Sequence, residues 1–476
     1  MESTIAVPDA GQTEPQREEH EAMSNEYLEG NFTGVSEEVT LACPEVEGQI
    51  PSDLAGNFLR NGPNPEFTPP MPDLYHPFDG DGMLHGVEFD QGKATYRNRW
   101  IETRGLLRER EEGKALWGGF NTIGKVEPPA DMPMKNLANT AMVYHNKKLL
   151  ALWEAGLPHE ISLPDLGTVG EENFGGWNHA VSAHPKVDPV TGEMILFCYS
   201  YGQAPFVKYG VVDPKGKLVH ETAIDLAGKP VMIHDMAITE HYSLIFDMPV
   251  TFSLDRVMNG GEAFDWEPEN GARIGVVPRY GQGSEIKWFD VETGYIFHTF
   301  NAWEEGDEIV LQACRSERTS ILVSEQTEDQ LGKMRRYRLN MTSGSVSEEK
   351  VSSIPMEFSR INETMLGRET RYGYASRFHP TRGLLFSGML KHDRKTDAIE
   401  TVEFGDTQFH QEMVFAPRVN SQSEDDGYVI GFVHDETDNH AECWVVDAQK
   451  FSDGPVARVR IPIRVPYGFH ANWVGA

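Results

Sequence analysis

Cysteine is scarce in this chain: four residues among 476, Cys43, Cys198, Cys314 and Cys443, far apart and without a CxxC pair. Such spacing excludes a dense disulfide framework and reads as reduced thiols in an intracellular setting. Basic residues are also in deficit, since 42 Lys and Arg face 74 Asp and Glu for a formal net charge of -32. That balance repels nucleic acid and anionic lipid, which argues against a DNA or RNA partner and leaves at most weak membrane contact. No stretch approaches the roughly 20 apolar residues that span a bilayer, and the opening residues lack the basic and apolar regions of a signal peptide. The expectation is a soluble, cytoplasmic protein with no transmembrane segment. No long helical period is present either.

What is present is turn chemistry and short apolar runs. Residues 1–40 are polar and acidic and read as a flexible tail, because they hold too few apolar positions to offset the entropy of ordering. From Leu41 onward, clusters of Gly, Pro, Asn and Asp separate runs rich in Val, Ile, Phe, Tyr and Trp, such as 194–199, 207–212 and 428–433. The reading is an all-β protein with residues 41–476 as one catalytic domain. Even spacing over four hundred residues suits radial repetition of four-stranded units, and a seven-bladed β-propeller with loops and short helices capping one face fits the length.

Of 17 histidines, four stand in distinctive local contexts: His184 in SAHPKVDPVTGE, His234 in MIHDMAIT, His298 in FHTFNAWEEGDE and His470 in PYGFHANW. Ligands so far apart do not form a helical HExxH site, but a propeller brings the inner strands of its blades to one axis, where distant imidazoles converge. Any one of them alone reads as a histidine packed in a strand or capping a turn. Imidazole alone also suits zinc, copper or nickel as well as iron.

The flanking residues carry a resemblance. GNFLRNGPNPEF at Gly56–Phe67, FDGDGMLHGVEF at Phe78–Phe89, LANTAMVYHNKKLLALWEAGLP, AHPKVDPVTGEM, IHDMAIT, HTFNAWEE, MEFSRIN and VPYGFHANW are similar, in order, to motifs of the carotenoid cleavage oxygenases. The resemblance implies a propeller with one iron(II) per chain on its axis, held by His184, His234, His298 and His470, and O2 as co-substrate. It places Glu154, Glu357 and Glu412 behind His234, His298 and His470 respectively. A carboxylate accepting the far ring N–H fixes an imidazole's tautomer and raises its basicity. Four neutral imidazoles on a six-coordinate ion leave two positions open and no anion among the ligands, so nearby carboxylates also offset the charge. His85, in GDGMLHG, lies in a family motif but takes no ligand position.

The implied reaction is oxidative cleavage of a conjugated carbon–carbon double bond in a small apolar alkene, a carotenoid or apocarotenoid, to two carbonyl products. Phe120, Phe300, Trp303, Trp177 and Phe469 are candidate linings of an apolar tunnel, against the plainer reading of aromatic core. Lys135 lies where stilbene-cleaving relatives place a lysine that contacts a phenolic hydroxyl, which keeps a stilbenoid or 4-hydroxyphenylpropenoid (resveratrol or isoeugenol type) as the alternative substrate. Phe120 stands where that branch commonly has tyrosine. Two further readings remain: a non-oxidative retinoid isomerase, and a propeller that only binds protein partners.

Overall fold

The computed structural model describes residues 25–476 apart from 203, 227, 229, 260, 320–326 and 384. Strands dominate, and their pairings are antiparallel. One sheet runs Ala141–His145, Lys148–Leu152, His159–Ile161, Thr168–Glu171; a second Lys186–Val187, Met194–Tyr199, Val207–Val212, Leu218–Ile224; a third Met236–Ile238, Tyr242–Asp247, Ala272–Pro278, Lys287–Val291. Between the second and third strands of that last sheet a separate hairpin, Val250–Phe252 with Phe264–Trp266, is inserted. Another sheet pairs Gly56–Pro63, Gly82–Asp90 and Lys93–Trp100, and the late strand Ala471–Gly475 adds beside Gly56–Pro63.

Apart from Thr40–Ala42, which pairs with Lys93–Trp100, the remaining strands form one continuous sheet that begins at Tyr295–Glu305 and runs through Pro455–Arg460 to Val46–Gly48. It is continuous because Val346–Arg360 is 15 residues long. Its first half pairs with Lys333–Asn340 and its second half with Tyr372–Phe378, with a register break near each change of partner. Central strands such as Gly427–Asp435 are buried on both faces, as expected where sheets stack against one another on each side. The cores lie between the sheets: Phe58, Val87 and Tyr96 pack on Ile430, Phe432 and Val445, and Phe197, Tyr209 and Ile245 pack on Cys314 and Met356.

The longer helix, Arg104–Glu112, follows from its ends. Thr103 accepts from the Leu106 amide at 3.2 Å, and Gly113 adopts φ 68°, which only glycine enters freely. Its buried face carries Glu109 toward the cavity described below. Among the described residues no helix is long and apolar enough to cross a membrane, and all four cysteines are free and buried.

Of the tail expected over residues 1–40, residues 1–24 lie outside the described residues. Residues 25–40 are anchored to the fold through Phe32, Val35 and Val39, which pack on core clusters, and through polar groups. Asn64 exchanges hydrogen bonds with Val35 N–H and C=O at 2.7 and 2.8 Å, Asn98 accepts from Val39 N–H at 2.8 Å, and Asn31 is 4% exposed.

Candidate metal centre

The four histidines converge. One ring nitrogen from each of His184, His234, His298 and His470 lies within 4.8 Å of the others. Nε2 of His184 is 3.0 Å from that of His234, which is 3.1 Å from that of His298, which is 3.2 Å from that of His470. Three of the four come from chain that enters a first strand: His184 precedes Lys186–Val187, His234 precedes Met236–Ile238, and His470 precedes Ala471–Gly475. His298 lies inside Tyr295–Glu305 at a bulge, where the register jumps between Ile296 and Thr299. Bulges re-aim side chains, and this one turns the imidazole toward the other three.

Behind the imidazoles stand carboxylates. His234 Nδ1 donates to Glu154 Oε1, His298 Nδ1 to Glu357 Oε2 at 2.5 Å and His470 Nδ1 to Glu412 Oε1 at 3.0 Å. Each acceptor is itself held. Tyr199 donates its hydroxyl to Glu154, the Phe358 amide donates to Glu357 at 3.0 Å, and the Ala471 amide donates to Glu412 at 2.5 Å. Glu357 precedes a second bulge, where Phe358 takes φ 53°, an uncommon conformation for a bulky residue, and lays its ring 5.5 Å from that of His298.

The site's electrostatics call for a cation. Burial and the neighbouring imidazoles hold His184 and His470 well below the ordinary histidine range, and burial takes His298 down to about 3. Burial also lifts Glu357 far above the usual carboxylate range and raises Glu412. Imidazoles that resist protonation beside anions that resist ionisation are groups lacking a common positive charge. With Nδ1 donating to glutamate, the Nε2 lone pairs face one another, which one metal ion relieves at once and protons relieve only pair by pair. Nitrogens roughly 2.1 Å from a metal and at right angles lie about 3.0 Å apart, so the observed separations suit adjacent positions on one ion.

A cavity of about 900 Å³ opens onto the cluster, at the upper end of the roughly 300–1,000 Å³ usual for small-molecule sites. His234, His298 and His470 are in its wall, with a lining dominated by aromatic and aliphatic groups. One side is a continuous aromatic face: Phe120 stacks on Phe264 at 5.0 Å, Phe264 meets Tyr201 at 5.2 Å, and Tyr201 stacks on Phe252 at 4.5 Å.

Of the tunnel candidates, Phe120 and Phe469 line this cavity. Phe300, Trp303 and Trp177 do not. Phe300 is 4% exposed within a core cluster against Gly373, Trp303 is 1% exposed with its indole N–H bonded to Glu305 at 2.8 Å, and Trp177 is 0% exposed. Phe297, on the other side of the bulge, lines the cavity and lies 4.3 Å from the His234 ring. Lys135 is in the cavity wall and is not a solvated lysine. It is 8% exposed and paired with Asp81 at 2.5 Å and with Glu109.

Sequence reasoning passed over Asp235 and Lys186, which form an ion pair at 2.7 Å beside the cluster. Both stand inside the motifs around His234 and His184, one and two residues from the imidazoles, and that adjacency was the available signal. Burial opposes the charge on Asp235, but Lys186, His298 and the Thr299 hydroxyl hold its carboxyl below the usual range.

The family described as retinal pigment epithelial membrane protein matches residues 32–475. The chain is 37% identical over 498 residues, covering 95% of it and 90% of the relative, to carotenoid 9,10(9',10')-cleavage dioxygenase 1 of Pisum sativum. The crystal structure of Pseudomonas brassicacearum lignostilbene dioxygenase superposes with a TM-score of 0.88 at 29% identity, covering 94% of this chain and 98% of that one. A crystal structure of cobalt-substituted Synechocystis apocarotenoid oxygenase gives a TM-score of 0.82 at 28% identity, covering 93% and 97%.

Proposed function

Because the chain belongs to the carotenoid cleavage oxygenase family, we propose that it is a non-haem iron(II) dioxygenase. It cleaves one conjugated double bond of a carotenoid or apocarotenoid: R–CH=CH–R′ and O2 give R–CHO and R′–CHO. The observation that carries this reading is the placement of three of four convergent imidazoles in the wall of a long aromatic cavity. In the same reading residues 41–476 are one catalytic domain, and its four-stranded runs are the seven blades of a propeller closed by Ala471–Gly475 on Gly56–Pro63. The four buried free cysteines suit a reducing compartment, here the cytoplasm.

His184, His234, His298 and His470 would hold one iron(II), which would supply activation of O2 beside the alkene. The chain's own groups do the rest. Glu154, Glu357 and Glu412 keep the Nδ1 protons of three imidazoles and so leave Nε2 free for the metal. Phe297 and Phe358, packed against these rings, exclude water from the reacting bond. The aromatic face from Phe120 to Phe252 orients an extended polyene and thereby selects which double bond reaches the centre.

The stilbenoid reading draws on two observations, the presence of Lys135 in the cavity wall and the likeness to the lignostilbene dioxygenase structure. Its ammonium already serves two carboxylates, which favours the polyene. Anaerobic purification, iron quantification and incubation under O2 with an apocarotenal, β-carotene, resveratrol and isoeugenol decide the matter by mass spectrometry of the products. Apocarotenoid aldehydes support the proposal. Exclusive formation of 4-hydroxybenzaldehyde or vanillin replaces it with the phenolic reading, and protein without iron or turnover overturns both.

A further inference from the structure

Three of the four imidazoles hand their Nδ1 proton to a glutamate; His184 Nδ1 has no hydrogen-bond partner among the described residues. Asp235 Oδ1 lies 4.0 Å from that nitrogen, and the same oxygen is paired with Lys186 at 2.7 Å. Asp235 is 2% exposed and well satisfied. Oδ1 also accepts from the Met236 amide at 2.7 Å, and Oδ2 accepts from both the amide and the hydroxyl of Thr299 at 2.8 Å. Its donors therefore come from the three segments that deliver His184, His234 and His298.

Two cations stand beside these carboxylates: Lys186 pairs with Asp235, and Arg360 lies 3.2 Å from Glu363 and 3.8 Å from Glu412.

We propose that the Asp235–Lys186 pair is a positioning pair for the metal centre: Asp235 ties together the segments bearing three ligands, and Lys186 offsets its negative charge beside the site. This inference rests on the metal-centre reading above. Asp235 and Lys186 then act on metal affinity with opposite signs. Without Lys186, Asp235 keeps three hydrogen-bond donors while one positive charge near the site is gone, which favours a bound cation. Without the Asp235 charge, Lys186 faces the site uncompensated.

The test is competition for cobalt(II) between a chelating dye and the metal-free protein, with circular dichroism and thermal unfolding as controls on folding. Asp235→Asn should weaken cobalt affinity by roughly 10–100-fold, the range usual for groups behind metal ligands. Lys186→Met should tighten it by about threefold or more, since a positive charge near the ion is removed. The double variant should bind more tightly than Asp235→Asn alone but more weakly than the parent, because the uncompensated charge is gone while the ties between segments are not restored. If Lys186→Met instead weakens binding together with Asp235→Asn, the pair is only structural and the inference fails while the metal centre stands. If the parent protein takes up no cobalt, the metal-centre reading fails. Should Asp235→Asn not fold, the sign of the Lys186→Met effect alone decides.

Discussion

Replacing Glu357 by Gln changes one atom's chemistry and leaves the volume of the side chain almost untouched. In the structure its Oε2 accepts from His298 Nδ1 at 2.5 Å and from the Phe358 amide at 3.0 Å, and the residue is 8% exposed. A glutamine has a single acceptor oxygen and an NH2 group that donates, so a poor rotamer leaves the His298 proton facing another donor. A buried N–H left without its acceptor costs about 1–3 kcal/mol. Losing a partner behind a metal ligand typically costs 10–100-fold in affinity, or about 1.4–2.7 kcal/mol, so two independent routes give the same size. The expected result is that Glu357→Gln still folds and still binds iron(II), but with affinity lower by roughly one to two powers of ten. The assay is anaerobic titration of metal-free protein against a competing chelator, with parallel measurement of turnover at saturating iron. An affinity within twofold of the parent would show that the His298–Glu357 contact does not orient a ligand, and the reading of all three imidazole–glutamate pairs would fall with it.

Other consequences are open to direct measurement. His234→Ala removes the middle imidazole of the contact series and should abolish both iron retention and turnover; iron at parent stoichiometry would contradict the site. Phe300→Ala should destabilise the fold by about 3–5 kcal/mol in urea unfolding without altering product identity, whereas Phe120→Ala should change which products form with a smaller loss of stability; reversal of that pattern would undo the division between core and cavity. Lys135→Met strands Asp81 and Glu109 without their cation and should cost about 3–5 kcal/mol, measurable as a lower unfolding midpoint, with a parent-like midpoint as the contrary result. Burial holds His410 down to about 3 despite its bond to the Gly388 carbonyl. The unfolded chain therefore binds a proton that the folded chain refuses, and stability present above about pH 6.5 is lost as pH falls toward 3. By pH 5 this group alone should cost about 2 kcal/mol, and His410→Gln should flatten the pH dependence of urea unfolding by that amount; unchanged slopes in the variant would refute the assignment.

The four histidines were legible because each sits in a short motif, and the glutamates found behind His234, His298 and His470 are the residues the sequence reading had set there. The misplacement of Phe300 and Trp303 has a definite cause. Tyr295–Glu305 is buried on nearly every position, so alternation does not separate cavity from core, and the bulge at Phe297–His298 shifts which residues face the metal side. Phe297 faces the cavity for the same reason. The setting of Lys135 was hidden because its partners, Asp81 and Glu109, lie far away in sequence. Residues 25–40 lack an apolar pattern yet are anchored, because Phe32, Val35 and Val39 pack on core clusters and Asn64 and Asn98 add hydrogen bonds that no local signal announces. Asp235 and Lys186 stood next to ligands and were read as motif background.

The delivery of His470 by the strand Ala471–Gly475, paired with Gly56–Pro63, bears on how the protein is made in the cell. At roughly 5–20 residues per second, about 15–60 s of synthesis separate His184 from His470. Three imidazoles are present only once His298 is made, about 9–34 s before His470, and through that time one sheet still lacks its edge strand Ala471–Gly475. A metal ion held by all four histidines would therefore be cargo accepted by a finished fold and not a nucleus around which the fold condenses, the reverse of a zinc finger. Protein made under iron starvation should accumulate as a folded, metal-free reserve that becomes active on later supply of iron, without new synthesis.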